Sequence, residues 1–181
     1  MTTTYLSRTP ASAGNRNTWT WSGWVKKSAI GVAQTILSTS STGTSNTSLA
    51  SLYFSSSNTL IFFQYTSSTV YTNLITTQVF RDSSAWYHIV LAYDDTQATA
   101  VNRVKFYVNG NQITAFGTST YPAQNYSGFI NQASPHAIGR DNGSPNASYF
   151  DGSMAHSHFI DGTAYDASAF GQFDANGIWT P

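Results

Sequence analysis

The sequence predicts an all-β protein, an antiparallel β-sandwich of two sheets, and three features carry that expectation. Short apolar runs recur along the chain, separated by small polar turns such as Ser55-Ser56-Ser57-Asn58 and Thr66-Ser67-Ser68, which is the spacing of consecutive antiparallel strands. Val104, Phe106 and Val108 alternate with Arg103, Lys105 and Tyr107, the period of two that buries one face of a strand and wets the other. Asn109-Gly110 comes next and supplies the two positive-φ residues of a tight type I′ hairpin turn. Helices find almost no room between these signals.

Taken in order, residues 1–17 are polar, broken by Pro10 and Gly14, and read as an extended arm or edge segment ahead of a sandwich over 18–165. Thr18 to Lys26 is the first strand, with Trp19, Trp21, Gly23 and Val25 on one face and Thr20, Ser22, Trp24 and Lys26 on the other. Gly23 between two tryptophans marks a bulge or a close backbone approach. Thr35 to Leu37 predicts a short strand, and Ser38 to Ser48 a Ser/Thr/Gly loop. Leu49 to Phe54, Leu60 to Tyr65 and Val70 to Ile75 predict three further strands. Trp86 to Tyr93 is an unbroken run of aromatic and β-branched residues closed by Asp94-Asp95, expected as a strand covered on both faces and central in its sheet, with the Trp86 ring in the core. Phe116 to Gln132 is a polar excursion around Pro122, His136 to Gly139 a short strand, Asp141 to Asn146 a loop, and Met154 to Ile160 the last strand. Residues 166–181 form a turn and tail, in which Asp166 caps a single helical turn over Ala167 to Phe170.

Composition narrows the function. Charged residues are only 9% of the 181 and the formal net charge is zero, so the chain offers nothing to a phosphate backbone and little repulsion between copies. Nucleic acid is excluded as a partner on that ground, and a homo-oligomer is expected, with one or both termini in the contact. Cysteine is absent, so no disulfide staples the fold. Residues 1–10 lack the apolar core of a secretion signal, and no run approaches the length of a transmembrane helix. A Ser/Thr/Asn/Tyr-rich surface of extracellular type without an export signal fits a virus particle, made in a host cytoplasm and released by lysis.

Several motifs resemble the laminin-G-like jelly roll of the concanavalin A-like lectin and glucanase superfamily. They are Trp24-Val25-Lys26, Trp86-Tyr87-His88-Ile89-Val90, Phe106-Tyr107-Val108-Asn109-Gly110, Ile138-Gly139, and Phe150-Asp151-Gly152-Ser153-Met154. The resemblance implies two antiparallel sheets and, in many relatives, glycan binding. Leu6-Ser7-Arg8-Thr9-Pro10, Ala13-Gly14-Asn15-Arg16, Phe159-Ile160-Asp161-Gly162 and Ser168-Ala169-Phe170-Gly171 with Asp174 look like the jelly-roll modules of marine tailed-phage structural proteins. That narrower likeness implies a virion component of the capsid or tail, docked on other virion proteins and meeting host glycans. A free carbohydrate-binding lectin is the alternative.

Catalysis is not expected. Glucanases of this fold use paired glutamates, and all eight acids here are aspartates, with no glutamate in the chain. Nor is there a Gly-x-Ser-x-Gly elbow. Three sets of residues are binding candidates. Tyr121, Tyr126 and Tyr149 are loop aromatics suited to stacking on sugar rings. Asp94, Asp95, Asp141, Asn142 and Asp151 offer the hard oxygens that calcium takes in some laminin-G-like relatives, although the same residue types belong in turns. His156 and His158, two apart on a strand, leave the same face and could share a metal, or serve simply as polar residues of a partly wet strand.

Overall fold

The computed structural model describes residues 4–41, 48–143 and 148–181. In chain order the strands are β1 (Leu6–Arg8), β2 (Thr18–Lys27), β3 (Gln34–Ser40), β4 (Ser48–Phe54), β5 (Thr59–Thr66), β6 (Thr69–Val79), β7 (Tyr87–Asp94), β8 (Val104–Val108), β9 (Asn111–Ile113), β10 (Phe116–Thr120), β11 (His136–Ile138), β12 (Gly152–Asp161), β13 (Gln172–Phe173) and β14 (Trp179–Thr180). Every pairing is antiparallel. A seven-stranded sheet runs β1-β11-β3-β4-β5-β6-β10, a five-stranded sheet runs β12-β2-β7-β8-β9, and β13-β14 form a small hairpin. The only helical pieces among the described residues are two 3₁₀ turns, Ala100–Asn102 and Ala167–Ala169.

The core lies between the two large sheets. Trp19, Trp21 and Val25 of β2, Ile89, Leu91 and Tyr93 of β7, and Phe106 of β8 meet Ile36, Leu52, Phe54, Leu60, Phe62 and Leu74 from the seven-stranded sheet. Trp19 stacks on Tyr93 with ring centroids 5.0 Å apart and meets Phe62 edge-on at 6.0 Å. β7 is central and buried along its length, as its unbroken apolar run requires. At the hairpin, Asn109 and Gly110 take φ of 47° and 80°, the two positive values of the type I′ turn.

Three expectations change, and a fourth, at Gly23, is resolved between its two alternatives. Trp86 lies one residue before β7 and is 40% exposed; the strand begins at Tyr87, so its ring is not core. β3 extends through Ser38, Thr39 and Ser40, all buried, because the segment 134–142 accepts their hydroxyls: Ser38 Oγ donates to the Arg140 carbonyl, Thr39 Oγ1 to that of Pro135 and Ser40 Oγ to that of Asn142. The rest of the predicted loop, 42–47, lies outside the described residues, as do 144–147 of the loop after Asp141. Phe116–Thr120 leaves the expected excursion to become the edge strand beside β6. The bulge near Gly23 sits on the facing strand: β12 shifts register between Ala155 and His158, while β2 stays regular against β7. Gly23 serves a close approach, since a Cβ there would stand 2.7 Å from the Trp21 ring.

Arm and tail are both tied to the sandwich. Asp161 Oδ1 accepts from the Asn15 backbone N–H and from Asn131 Nδ2, and Gly14 N–H donates to the Asn131 carbonyl. Arg16 donates to the carbonyls of Ser127 and Gly128. The tail is stopped by Asp166, whose side chain accepts from Ser168 N–H, and by Asp174, which accepts from Asn176 and Ile178 N–H. A Cβ at Gly171 would stand 2.4 Å from the Thr180 carbonyl oxygen. Several residues of the narrower motif set therefore hold the ends of the chain in place.

One charge is buried in this frame. Lys27, at the end of β2, has no exposed surface; its Nζ donates to Asn58 Oδ1 at 3.0 Å and the Phe80 carbonyl at 3.1 Å and stands 4.7 Å over the Phe54 ring. Burial lowers the ammonium's pKa.

Candidate functional site

The outer face of the seven-stranded sheet carries an aromatic hollow. Along β4 and β5, Leu52, Phe54, Leu60 and Phe62 point into the core, so the alternate residues Ser51, Tyr53, Phe63 and Tyr65 face outward. Register aligns them: Thr35 opposes Tyr53, Ser51 opposes Phe63, and Leu49 opposes Tyr65. Phe63 and Tyr65 lie with ring centroids 4.9 Å apart at 37°. These side chains, with Asp141 and Ser148, line a hollow of about 260 Å³.

Asp141 reaches the hollow because its neighbours are clamped. Ser38 Oγ donates to the carbonyl of Arg140 and accepts from the N–H of Asn142, so one hydroxyl of β3 brackets the residue. Asp141 Oδ1 accepts from Gly143 N–H. Its carboxylate is felt across the hollow: burial first, and then the Asp141 charge, raises the pKa of both Tyr53 and Tyr65. Both phenols are thus neutral donors at physiological pH. Flat aromatic faces, hydroxyl donors and one carboxylate acceptor are the groups that hold a sugar ring by stacking and by hydrogen bonds to its hydroxyls.

The three loop tyrosines do not converge. Tyr121 packs against the core. Tyr126 stacks on Tyr71 at 4.4 Å and meets Phe129 edge-on, and Tyr149 lies against Tyr5, whose ring carries the Arg140 guanidinium at 4.0 Å. A separate outward-facing aromatic group comes from Tyr53, Phe63 and Tyr65. Sequence offered one signal for it, the alternate positions of β4 and β5, but with aliphatic and aromatic residues on both sets the periodicity did not say which set faced out.

The oxygen ligands are also separated. Asp94 pairs with Thr18 at one end of β2, and Gly152, next to Asp151, pairs with Lys27 at the other; the intervening strand spans roughly 30 Å. Asp94 accepts from Thr96 and Gln97. Asp95 is buried and accepts from Asn17 Nδ2, the Tyr93 hydroxyl and Ser127 N–H. Asn142 binds Arg140 Nη2 and the Pro135 carbonyl with its side chain. Among the described residues no group of three or more His, Asp or Glu stands close enough to hold a metal.

The bulge in β12 leaves His156 and Ser157 opposite Gly23 alone, with His156 at φ 50°. The rings of His156 and His158 still lie 6.4 Å apart, and His158 stacks on Phe170. His88 of β7 stands beside them, buried, with Nε2 at 2.9 Å from Ser22 Oγ and Nδ1 accepting from the Trp179 indole. Burial, and then the charges of His158 and His156, lowers the His88 pKa to about 4. A second cleft, about 300 Å³, opens between β1 and β12 over Leu6, Pro10, Trp21, Leu37 and Phe159.

Comparison with known proteins agrees with this architecture. Residues 1–167 match a laminin-G family model described as Concanavalin A-like lectin/glucanases superfamily. No curated protein matches the chain in sequence. Among solved structures, the CBM40 of a Ruminococcus gnavus IT-sialidase is similar, with TM-score 0.60 and 15% identity over 91% of this chain and 95% of that one. The same CBM40 bound to α2,3 sialyllactose gives TM-score 0.57 and 14% identity over 91% and 95%. Domains LG4-5 of the mouse laminin alpha1 chain give 0.60 and 12%, over 91% of this chain and 44% of that one. A heptameric SAP-like pentraxin from Limulus polyphemus gives 0.57 and 14%, over 86% and 68%. At these identities the likeness is one of fold, and the fold resembles carbohydrate-binding modules. With the family match running over most of its length, this chain belongs to the concanavalin A-like lectin/glucanases superfamily.

Proposed function

We propose that this chain is a non-catalytic carbohydrate-binding protein that takes a glycan in the hollow of Tyr53, Phe63 and Tyr65. The observation that carries the reading is the convergence of those three rings with the Asp141 carboxylate on one sheet face. Hydrolysis by the usual two-carboxylate route has no support here, because it needs a pair of carboxyl groups roughly 5 to 9.5 Å apart and Asp141 is the only acid among the residues lining the hollow. Binding of fluorescent oligosaccharides to wild type and to Tyr53→Ala and Tyr65→Ala is the test. Loss of binding in both variants, with an unchanged fold, supports the site; full binding in both overturns it.

The likeness of the arm and tail motifs to marine tailed-phage modules gives this binding a setting, display on a virion where the hollow meets a host-surface glycan. Mass spectrometry of purified particles tests it. Absence of the chain from the particle leaves the alternative of a free lectin.

A further inference from the structure

Resting on the reading of this hollow as a glycan site, we propose that it selects neutral glycans and rejects those bearing an anionic sugar at the bound position, sialic and uronic acids included. The residues lining the hollow are Thr35, Leu49, Ser51, Tyr53, Phe63, Tyr65, Asp141 and Ser148. One is an anion and none is a cation. Burial first, and then the Asp141 charge, raises the pKa of both Tyr53 and Tyr65, and a carboxylate that disfavours a phenolate at either wall disfavours a bound carboxylate there by the same repulsion.

None of the eight lysines and arginines lines the hollow, and five of them are engaged elsewhere. Arg140, the residue before Asp141, lies over the Tyr5 ring and donates Nη2 to Asn142. Lys27 is buried against Asn58 and Phe80. Arg16 and Arg103 donate to backbone carbonyls of the 122–128 and 97–98 segments. Arg8 lines the other cleft. The segments next in sequence to the lining residues, Thr42-Gly43-Thr44-Ser45-Asn46-Thr47 and Ser144-Pro145-Asn146-Ala147, contain no charged residue at all. Recognition of a carboxylate draws its strength from charge-assisted bonds, above all bidentate ones from arginine, and this hollow has no such group to offer. A neutral ring asks only for what is present: aromatic faces for its C–H surface, and hydroxyl and carboxylate partners for its hydroxyls.

The experiment is an array of neutral oligosaccharides printed beside their terminally sialylated and glucuronylated counterparts, probed with wild type, Tyr65→Ala, Asp141→Asn and Asp141→Ala. Asn keeps an oxygen for the Gly143 N–H, so the turn survives in the Asn variant. Wild type should bind neutral glycans at least tenfold more strongly than their anionic partners, with the gap widest at low salt. Asp141→Asn should shrink that gap severalfold, while Tyr65→Ala weakens neutral and anionic glycans alike. Equal or stronger binding of the sialylated member of a pair overturns the charge selection and leaves glycan binding standing. No binding to any printed glycan overturns both. A gap that is unchanged in the two Asp141 variants also overturns the proposal, because some other group then sets it.

Discussion

The indole N–H of Trp179 donates to Nδ1 of His88 at 2.9 Å, across 91 residues of chain. With Nδ1 accepting, the ring proton sits on Nε2 and is donated to Ser22 Oγ. The rings also stack at 5.8 Å and 20°, and Phe173 meets Trp179 edge-on at 5.0 Å. One neutral imidazole thus holds the C-terminal hairpin against the outer face of the five-stranded sheet.

This makes the tail sensitive to acid. The folded pKa of His88, about 4, lies below its unfolded value of about 6.5, so the unfolded chain binds the proton first. Stability is then whole above pH about 6.5 and declines as the pH falls toward 4, by up to about 3 kcal/mol. A protonated ring would turn an N–H toward the indole N–H, so hydrogen exchange at Gln172–Phe173 and Trp179–Thr180 should quicken at pH 4.5 relative to pH 7. Equal protection at both values counts against the latch. Trp179→Phe should keep the stacking, lose about 1 kcal/mol for the missing hydrogen bond and show the same exchange pattern at both pH values.

Gly110 supports the same latch. It combines φ of 80° with a position where a Cβ would stand 2.3 Å from the Trp179 ring. Gly110→Ala should therefore cost more than the roughly 1 kcal/mol of backbone strain alone, and tryptophan fluorescence should report the displaced indole. A midpoint of denaturation equal to wild type would refute this.

Lys27 offers a contrast between charge and volume. Lys27→Met removes a buried ammonium and keeps most of the packing, and Asn58 Oδ1 still accepts from the Gly31 N–H; the change should stay within about 1.5 kcal/mol of wild type. Lys27→Ala leaves a cavity against Phe54 and should cost about 2 to 5 kcal/mol. Chemical denaturation of the pair measures both, and equal losses would show that the charge matters more than the packing.

Trp86→Ala should cost no more than about 1 kcal/mol, since the ring is largely outside the core. Leu91→Ala in the middle of β7 should cost about 2 to 5 kcal/mol. Thermal unfolding of the two variants separates edge from core, and the reverse order would return Trp86 to the interior.

Tyr65→Ala should reduce glycan binding at least tenfold with little loss of stability, because the ring is partly exposed on a sheet face rather than packed between sheets. Calorimetry against the strongest oligosaccharide of the array reads the first and a melting curve the second. A large drop in melting temperature would mean that the ring is structural.

Local chemistry along the chain settles that strands exist, roughly where they run, and how the tightest turn is made. The β7–β8–β9 hairpin region follows from local chemistry, because Asn109-Gly110 encodes its own geometry and the run into Tyr93 can be satisfied only by cover on both faces. The Asp166 turn is equally local, its carboxylate meeting an N–H two residues on. At Trp86 local chemistry falls short, because composition does not mark where a strand begins. Partners came only from the tertiary structure, which pairs β1 with β11 and β12 with β2 across more than a hundred residues. It also decided which of two apolar sets on β4 and β5 faces out, since Leu60-Ile61-Phe62-Phe63 is apolar on both sides and only the opposing sheet tells them apart. The hollow needed one step more, for Asp141 is carried to Tyr53 and Tyr65 by β11 adding to β3 and by the Ser38 hydroxyl holding its neighbours. Periodicity is a property of adjacent residues, whereas a site is made by segments distant in the chain whose meeting is fixed only when the core closes.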